Sequence, residues 1–75
     1  MGEGSEIPQL PRDRVYAELK RRLKAGVWPP GTRLPAMDEL ARELGVSRGT
    51  VANALRRLAD EERVVILRGY GVYAR

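Results

Sequence analysis

The chain has 75 residues, 14 basic and 10 acidic side chains and a net charge of +4, with an isoelectric point near 10.1. That length allows one small domain, in which nearly every large apolar residue is needed for the core. With neither cysteine nor histidine, the chain has no disulfide framework, no thiolate metal site, and neither the commonest zinc ligand nor the commonest general base.

The charge is unevenly placed. Residues 1–11 hold Glu3 and Glu6 and no base, whereas residues 12–75 hold 14 basic and 8 acidic side chains. A compact basic domain suits a polyanionic partner. No apolar run approaches the roughly 18 residues of a membrane span. The opening Met-Gly-Glu-Gly-Ser-Glu lacks the basic-then-apolar layout of a signal peptide. A cytoplasmic protein with no membrane partner is expected.

Residues 1–10 read as a flexible leader, and residues 11–75 as the domain. Pro11 suits the first turn of a helix, and Asp13 suits its positive end. Val15, Tyr16, Leu19 and Leu23 then share one helical face. Lys20, Arg21, Arg22 and Lys24 crowd the C-terminal half, and Gly26 follows as a C-cap. Val27-Trp28-Pro29-Pro30-Gly31 sets a rigid turn, with Trp28 read as core or as a clamp over the first helix. Thr32-Arg33-Leu34 is too short for an independent strand but can pair at a sheet edge.

Pro35 opens a second helix, with Asp38 to Leu44 as its body. Met37, Leu40, Ala41 and Leu44 recur at i, i+3, i+4 and i+7. Gly45 ends it, and Ser47 caps a third helix over residues 47–59. Val51, Ala54, Leu55 and Leu58 repeat the same spacing, and Asp60-Glu61-Glu62 closes the helix as a solvated run. Two helices joined by a tight Gly-containing turn form a helix-turn-helix, whose second helix reads a DNA major groove. Val64-Val65-Ile66-Leu67 in Arg63–Leu67 suits a strand, Arg68-Gly69-Tyr70-Gly71 a hairpin turn, and Val72-Tyr73-Ala74 the return strand. The order is that of a winged helix: mainly α, a three-helix bundle with a β-hairpin wing.

The helical period assigns faces on the third helix. With Val51 at zero, the apolar set clusters near about −10°, and Gly49, Asn53 and Arg56 fall near about 160°, 200° and 140°. If the apolar side packs on the other helices, those three face a groove. Arg48, at about 60° and at the helix start, can grip a guanine edge or a phosphate. Gly49 permits close backbone approach. Thr50 offers a hydroxyl and a methyl at the rim, and Asn53 can read adenine. Arg56 suits a phosphate, and Ser47 serves as cap and phosphate ligand together. Tyr16 is core by its spacing, with a hydroxyl in reach of a phosphate. Arg68, Gly69 and Tyr70 place a wing tip in the adjacent minor groove. No carboxylate pair suits general acid–base work and no phosphate-binding loop is present, so neither catalysis nor a cofactor is expected.

The chain resembles the N-terminal domain of the GntR family of bacterial transcription regulators from about Arg12 to Tyr73. The resemblance rests on Tyr16, Leu19 and Leu23; Gly26; Pro30-Gly31-Thr32-Arg33-Leu34-Pro35; Glu39-Leu40-Ala41; Gly45-Val46-Ser47-Arg48 with Thr50-Val51; Ala54-Leu55 and Leu58; and Gly69 with Gly71. It implies a repressor's operator-reading domain on double-stranded DNA, with Arg33 near the duplex. It also implies a homodimer formed through a C-terminal effector-binding domain beyond Arg75, so that the 75 residues are one domain of a longer regulator. The chain departs from the family pattern in several places. Ala36-Met37 stand where the family has Ser-Glu, Asp38 where it often has a base, and Ala52 where it has Arg. Tyr70 stands where the wing carries a basic or small polar residue, and Arg63 follows Glu62 where the family has Gly after Glu. The resemblance makes positions 38 and 52 DNA contacts in such members, and both lack a positive charge here. The alternative function is therefore a winged-helix protein-interaction module with weak or no DNA binding.

Overall fold

The computed structural model describes residues 10–75. Of the expected leader only Leu10 falls among them, and it caps the first helix rather than leading up to it. Its carbonyl accepts from the N–H groups of Asp13 and Arg14 at 2.9 and 3.0 Å. Helix α1 runs Pro11–Lys24, α2 Met37–Leu44 and α3 Arg48–Asp60, followed by strands β1 Val64–Leu67 and β2 Gly71–Ala74. The winged-helix architecture expected from the element order is the one observed.

The boundaries differ slightly from the pattern. Helix α2 starts at Met37 rather than Pro35, because Ala36 is still extended and its N–H is held by Glu39 Oε1 at 3.0 Å. Ser47 caps α3 as expected, its Oγ accepting from the Thr50 N–H at 3.1 Å, and the helix itself runs one residue past the expected 59, to Asp60. Gly71 belongs to β2 and pairs with Leu67, which leaves a three-residue turn, Arg68-Gly69-Tyr70. Residues 31–34 lie along the free edge of β2, as their position suggested. The Leu34 N–H donates to the Val72 carbonyl and the Gly31 N–H to the Ala74 carbonyl, both at 2.8 Å.

The core is a single apolar cluster. Val15 and Leu19 of α1, Leu40 and Ala41 of α2, and Val51, Ala54, Leu55 and Leu58 of α3 meet Val64, Val72 and Ala74 of the hairpin. Trp28 and Leu34 close the cluster from the connecting segment, so Trp28 is core. No polar or charged side chain is buried among the described residues. Fully burying a side chain of this size is worth about 1.5–3 kcal/mol, a large share of what holds so small a domain. Helices α1 and α2 are further tied by Arg22, whose guanidinium reaches Glu18 at 2.7 Å and Glu43 at 2.6 Å.

Helix α3 ends in a left-handed residue that is not glycine. Glu62 has φ 60, its N–H donates to the Ala59 carbonyl, and the Arg63 N–H donates to the Leu58 carbonyl, both at 2.9 Å. The same pair of bonds ends α1 around Gly26, where no side chain opposes the conformation. The position that asks for glycine is thus Glu62, one residue before the Arg63 singled out in the sequence. A left-handed non-glycine residue costs about 1–2 kcal/mol. Glu62→Gly, which gives back part of that as chain entropy, is expected to stabilise the domain by about 1 kcal/mol and to raise Tm by about 4–8 °C. A thermal melt of both chains measures this, and an unchanged or lower Tm contradicts it.

A second expectation concerns acid. Hydrogen bonds from Arg21 and then Arg22 hold the Glu18 carboxyl at about 2, below its ordinary 4.5. A carboxyl depressed in the folded state stabilises it above the unfolded pKa, and that contribution disappears as pH falls through the folded one. Glu18→Gln is therefore expected to lower Tm at about pH 6 and to have a much smaller effect near about pH 2, where the folded carboxyl is half protonated. Equal effects at both pH values would show that the carboxyl's charge is not what matters.

Candidate nucleic-acid interface

Packing of the Val51, Ala54, Leu55 and Leu58 face against the core leaves the other side of α3 in solvent. Arg48, Gly49, Asn53 and Arg56 are all exposed, and Thr50 and Ala52 are half-buried at the rim. The wheel read from the sequence therefore agrees with the packing.

The wing folds back beside this face and makes a groove of about 500 Å3. Its floor is the segment Leu34–Met37 with Ile66 and Val72, and its walls are α3 and the wing. Four arginines line it: Arg33, Arg48, Arg56 and Arg68. Gly69 and Tyr70 stand at the wing tip, and no carboxylate is among the lining residues. Tyr70 is 72% exposed, so its ring is unsupported by the core. Six of the expected site residues thus meet in one place, although they come from three separate stretches of chain.

The remaining four lie along the start and outer face of α3. The Ser47 and Thr50 hydroxyls bond each other at 2.9 Å, which fixes two oxygen groups beside the free N–H groups of the helix end. Such a terminus favours an anion. Asn53 accepts at Oδ1 from Arg56 Nη2, so these two side chains act as one unit. Gly49 has open space around it: a Cβ built there meets only Ser47 Oγ, at 3.9 Å. Nothing inside the protein requires glycine at that position.

Two residues were missed in the sequence. Arg12 and Arg57 flank Asn53 in a second, shallower depression on the other side of α3. Arg57 stacks on Tyr16, its guanidinium carbon 3.8 Å from the ring centroid, and pairs with Asp13 at 3.2 Å. Only the crossing of α1 and α3 brings these residues together. Tyr16 is half-buried, and its hydroxyl donates to Glu61 Oε2 at 2.5 Å. That bond, followed by one from Arg63, holds the Glu61 carboxyl below its ordinary value. The Tyr16 hydroxyl proposed for a phosphate is thereby used to tie α1 to the end of α3, and Glu61 is more than part of a solvated run.

Gly71 was read as part of the turn, and the structure shows a tighter demand. It has φ 130, and a Cβ there would lie 2.6 Å from Arg33 Nε. The bare backbone lets the Arg33 side chain lie across the base of the wing. The bridge between Arg33 and Tyr73 holds the backbone of that residue in place.

Comparison with known proteins bears on the fold and the family. The sequence pattern of the bacterial regulatory proteins of the gntR family matches residues 11–74. The histidine utilization repressor of Pseudomonas aeruginosa is 35% identical over 68 residues, covering 91% of this chain and 27% of that protein. The histidine utilization repressor of Klebsiella aerogenes is 38% identical over 61 residues, covering 81% of this chain and 25% of that protein. The chain thus spans about a quarter of the length of these relatives. Among solved structures, the DNA-binding domain of AraR in complex with operator ORE1 superposes with a TM-score of 0.90 at 26% identity, covering 97% of this chain and 89% of that one. A winged helix with the family pattern over residues 11–74, this chain belongs to the GntR family of bacterial regulatory proteins.

Proposed function

We propose that this domain reads an operator in double-stranded DNA as part of a bacterial transcription repressor acting in the cytoplasm. Helix α3 lies in the major groove and the wing tip, residues 68–71, in the adjacent minor groove. The observation that carries this reading is the groove in which four arginines from the connecting segment, α3 and the wing converge without a carboxylate among them. A duplex fits that arrangement because phosphates flank each groove and each Arg can take a phosphate or a guanine edge. Ser47 and Thr50 at the start of α3 suit a phosphate, Gly49 leaves room for close approach, and Asn53 with Arg56 stands on the exposed face that would meet the base edges. The complex of the AraR domain with its operator supports an operator duplex as the partner. The activity is binding, without catalysis or a cofactor. In the whole regulator a homodimer formed outside this domain would set two such domains on a two-fold-symmetric site.

Salt dependence tests the reading. Each phosphate neutralised steepens the fall of log affinity with log salt by about 0.9. A titration with duplex DNA should show a slope of several such contacts. A flat response would favour a protein-interaction module instead.

Two substitutions sharpen the test. Arg48→Ala is expected to cost about 1–3 kcal/mol on a selected duplex and less on random duplex, measured by competition. Equal losses would make Arg48 a phosphate contact only. Ala52→Arg adds a cation at the rim of the exposed face, four residues after Arg48. It should tighten binding and steepen the salt slope by about 0.9, with little change in Tm because Arg is a good helix former. An unchanged slope at unchanged Tm would mean that position 52 faces away from DNA.

A further inference from the structure

One side chain at the rim of the groove opposes the rest. Asp38, in the first turn of α2, sets its Oδ1 2.9 Å from the Nε of Arg48, the first residue of α3. Both side chains are 69% exposed, and an ion pair so open to water contributes little to stability. The pair therefore has scant value to the fold. Helix α2 does not need Asp38 for its cap either, because Glu39 already holds the Ala36 N–H.

The geometry has a consequence for recognition. With Nε against Asp38, the outer edge of the Arg48 guanidinium, carrying its two terminal nitrogens, is left for a partner. Two parallel N–H groups are what a guanine O6 and N7 accept. So exposed a contact biases Arg48 toward this orientation without locking it, and part of the about 0.5–1.5 kcal/mol, or about 2- to 10-fold in affinity, that a fully fixed side chain would gain on binding is available. The carboxylate acts on phosphates in the opposite sense. It offsets the Arg48 charge and repels the backbone, so Arg48 gains less by gripping any phosphate in reach. The same contact thus favours a base and disfavours sequence-independent binding.

We propose that Asp38 is a specificity-determining positioning residue: it sets Arg48 end-on for a guanine and weakens non-specific binding. The proposal rests on the operator-reading function above and adds to it the class of base read and the residue that enforces it. It also accounts for an acidic residue beside an otherwise basic groove.

The test starts from the full chain and an immobilised pool of random duplexes at low salt. Selection with the unsubstituted chain yields a preferred sequence. Affinity for that duplex and for the unselected pool is then measured for the unsubstituted chain and for Asp38→Ala, Asp38→Asn and Arg48→Ala, with melts as the fold control. Asp38→Ala is expected to bind the unselected pool more tightly with a steeper salt slope. Its ratio of selected to unselected affinity should fall by about 2- to 10-fold. The lost preference should lie at the G·C pair whose preference Arg48→Ala also loses. Asp38→Asn keeps an oxygen acceptor without the charge and is expected to fall between. An unchanged ratio in Asp38→Ala would reduce Asp38 to a repulsive charge and overturn the proposal. A lost preference at a pair that Arg48→Ala leaves intact would mean that Asp38 reads a base itself, which also overturns it. If the unsubstituted chain enriches no sequence, the operator-reading function fails, and the role of Asp38 fails with it. That result precedes any substitution and is distinct from the other two.

Discussion

The apolar seam of α3 is the constraint on which the rest of the molecule depends. Val51, Ala54, Leu55 and Leu58 sit at the centre of the core and touch the other two helices and the hairpin. A helix has one period, so fixing that seam fixes everything on the opposite side. Gly49, Asn53 and Arg56 are exposed because these four residues are not. Nothing else in the fold aims the outer face. The seam therefore couples stability to function, because a change that shifted α3 about its axis would move every candidate contact at once.

Two sets among the twelve arginines have different physical roles. Arg21, Arg22, Arg57 and Arg63 are paired with Glu18, Glu43, Asp13 and Glu61. Arg22–Glu43 ties α1 to α2 and Arg57–Asp13 ties α1 to α3, while the other two pairs are local. Arg33, Arg56 and Arg68 make no salt bridge to a carboxylate among the described residues, and all three line the groove. The net charge of +4 thus understates the local field. Acidic partners sit beside the arginines of the bundle, and none lines the groove beside the wing. Such focusing draws in a polyanion more strongly than evenly spread charge.

Arg48 stands between these two sets. It lines the groove and yet carries a carboxylate partner. A binding surface built from unpaired arginines alone would favour every phosphate equally, because phosphates carry no sequence information. A counter-charge at one chosen arginine is a physical route from affinity toward selectivity. The wing departs from a plain basic surface in its own way, presenting an exposed Tyr70 between Gly69 and Gly71, where a flat ring can meet sugar and base edges.

Local rules governed most of what was legible in the sequence. The three helices, their apolar faces, the Ser47 cap and the hairpin follow from spacing and from residue-specific conformational preferences within a few neighbours. The outward set on α3 was legible for the same reason. Other features depend on segments far apart in the chain. The groove joins Arg33, α3 and the wing, and the second depression joins Arg12 to Arg57. The bond from Tyr16 to Glu61 spans 45 residues, and the Arg48–Asp38 pair appears only once α2 and α3 cross. Gly71 keeps a backbone with φ 130, and the Arg33 side chain from far along the chain lies over it. Periodicity assigns a side chain to a face, but it carries no distance between faces. Only the packing of the helices and the hairpin around one core supplies those distances, and with them the site.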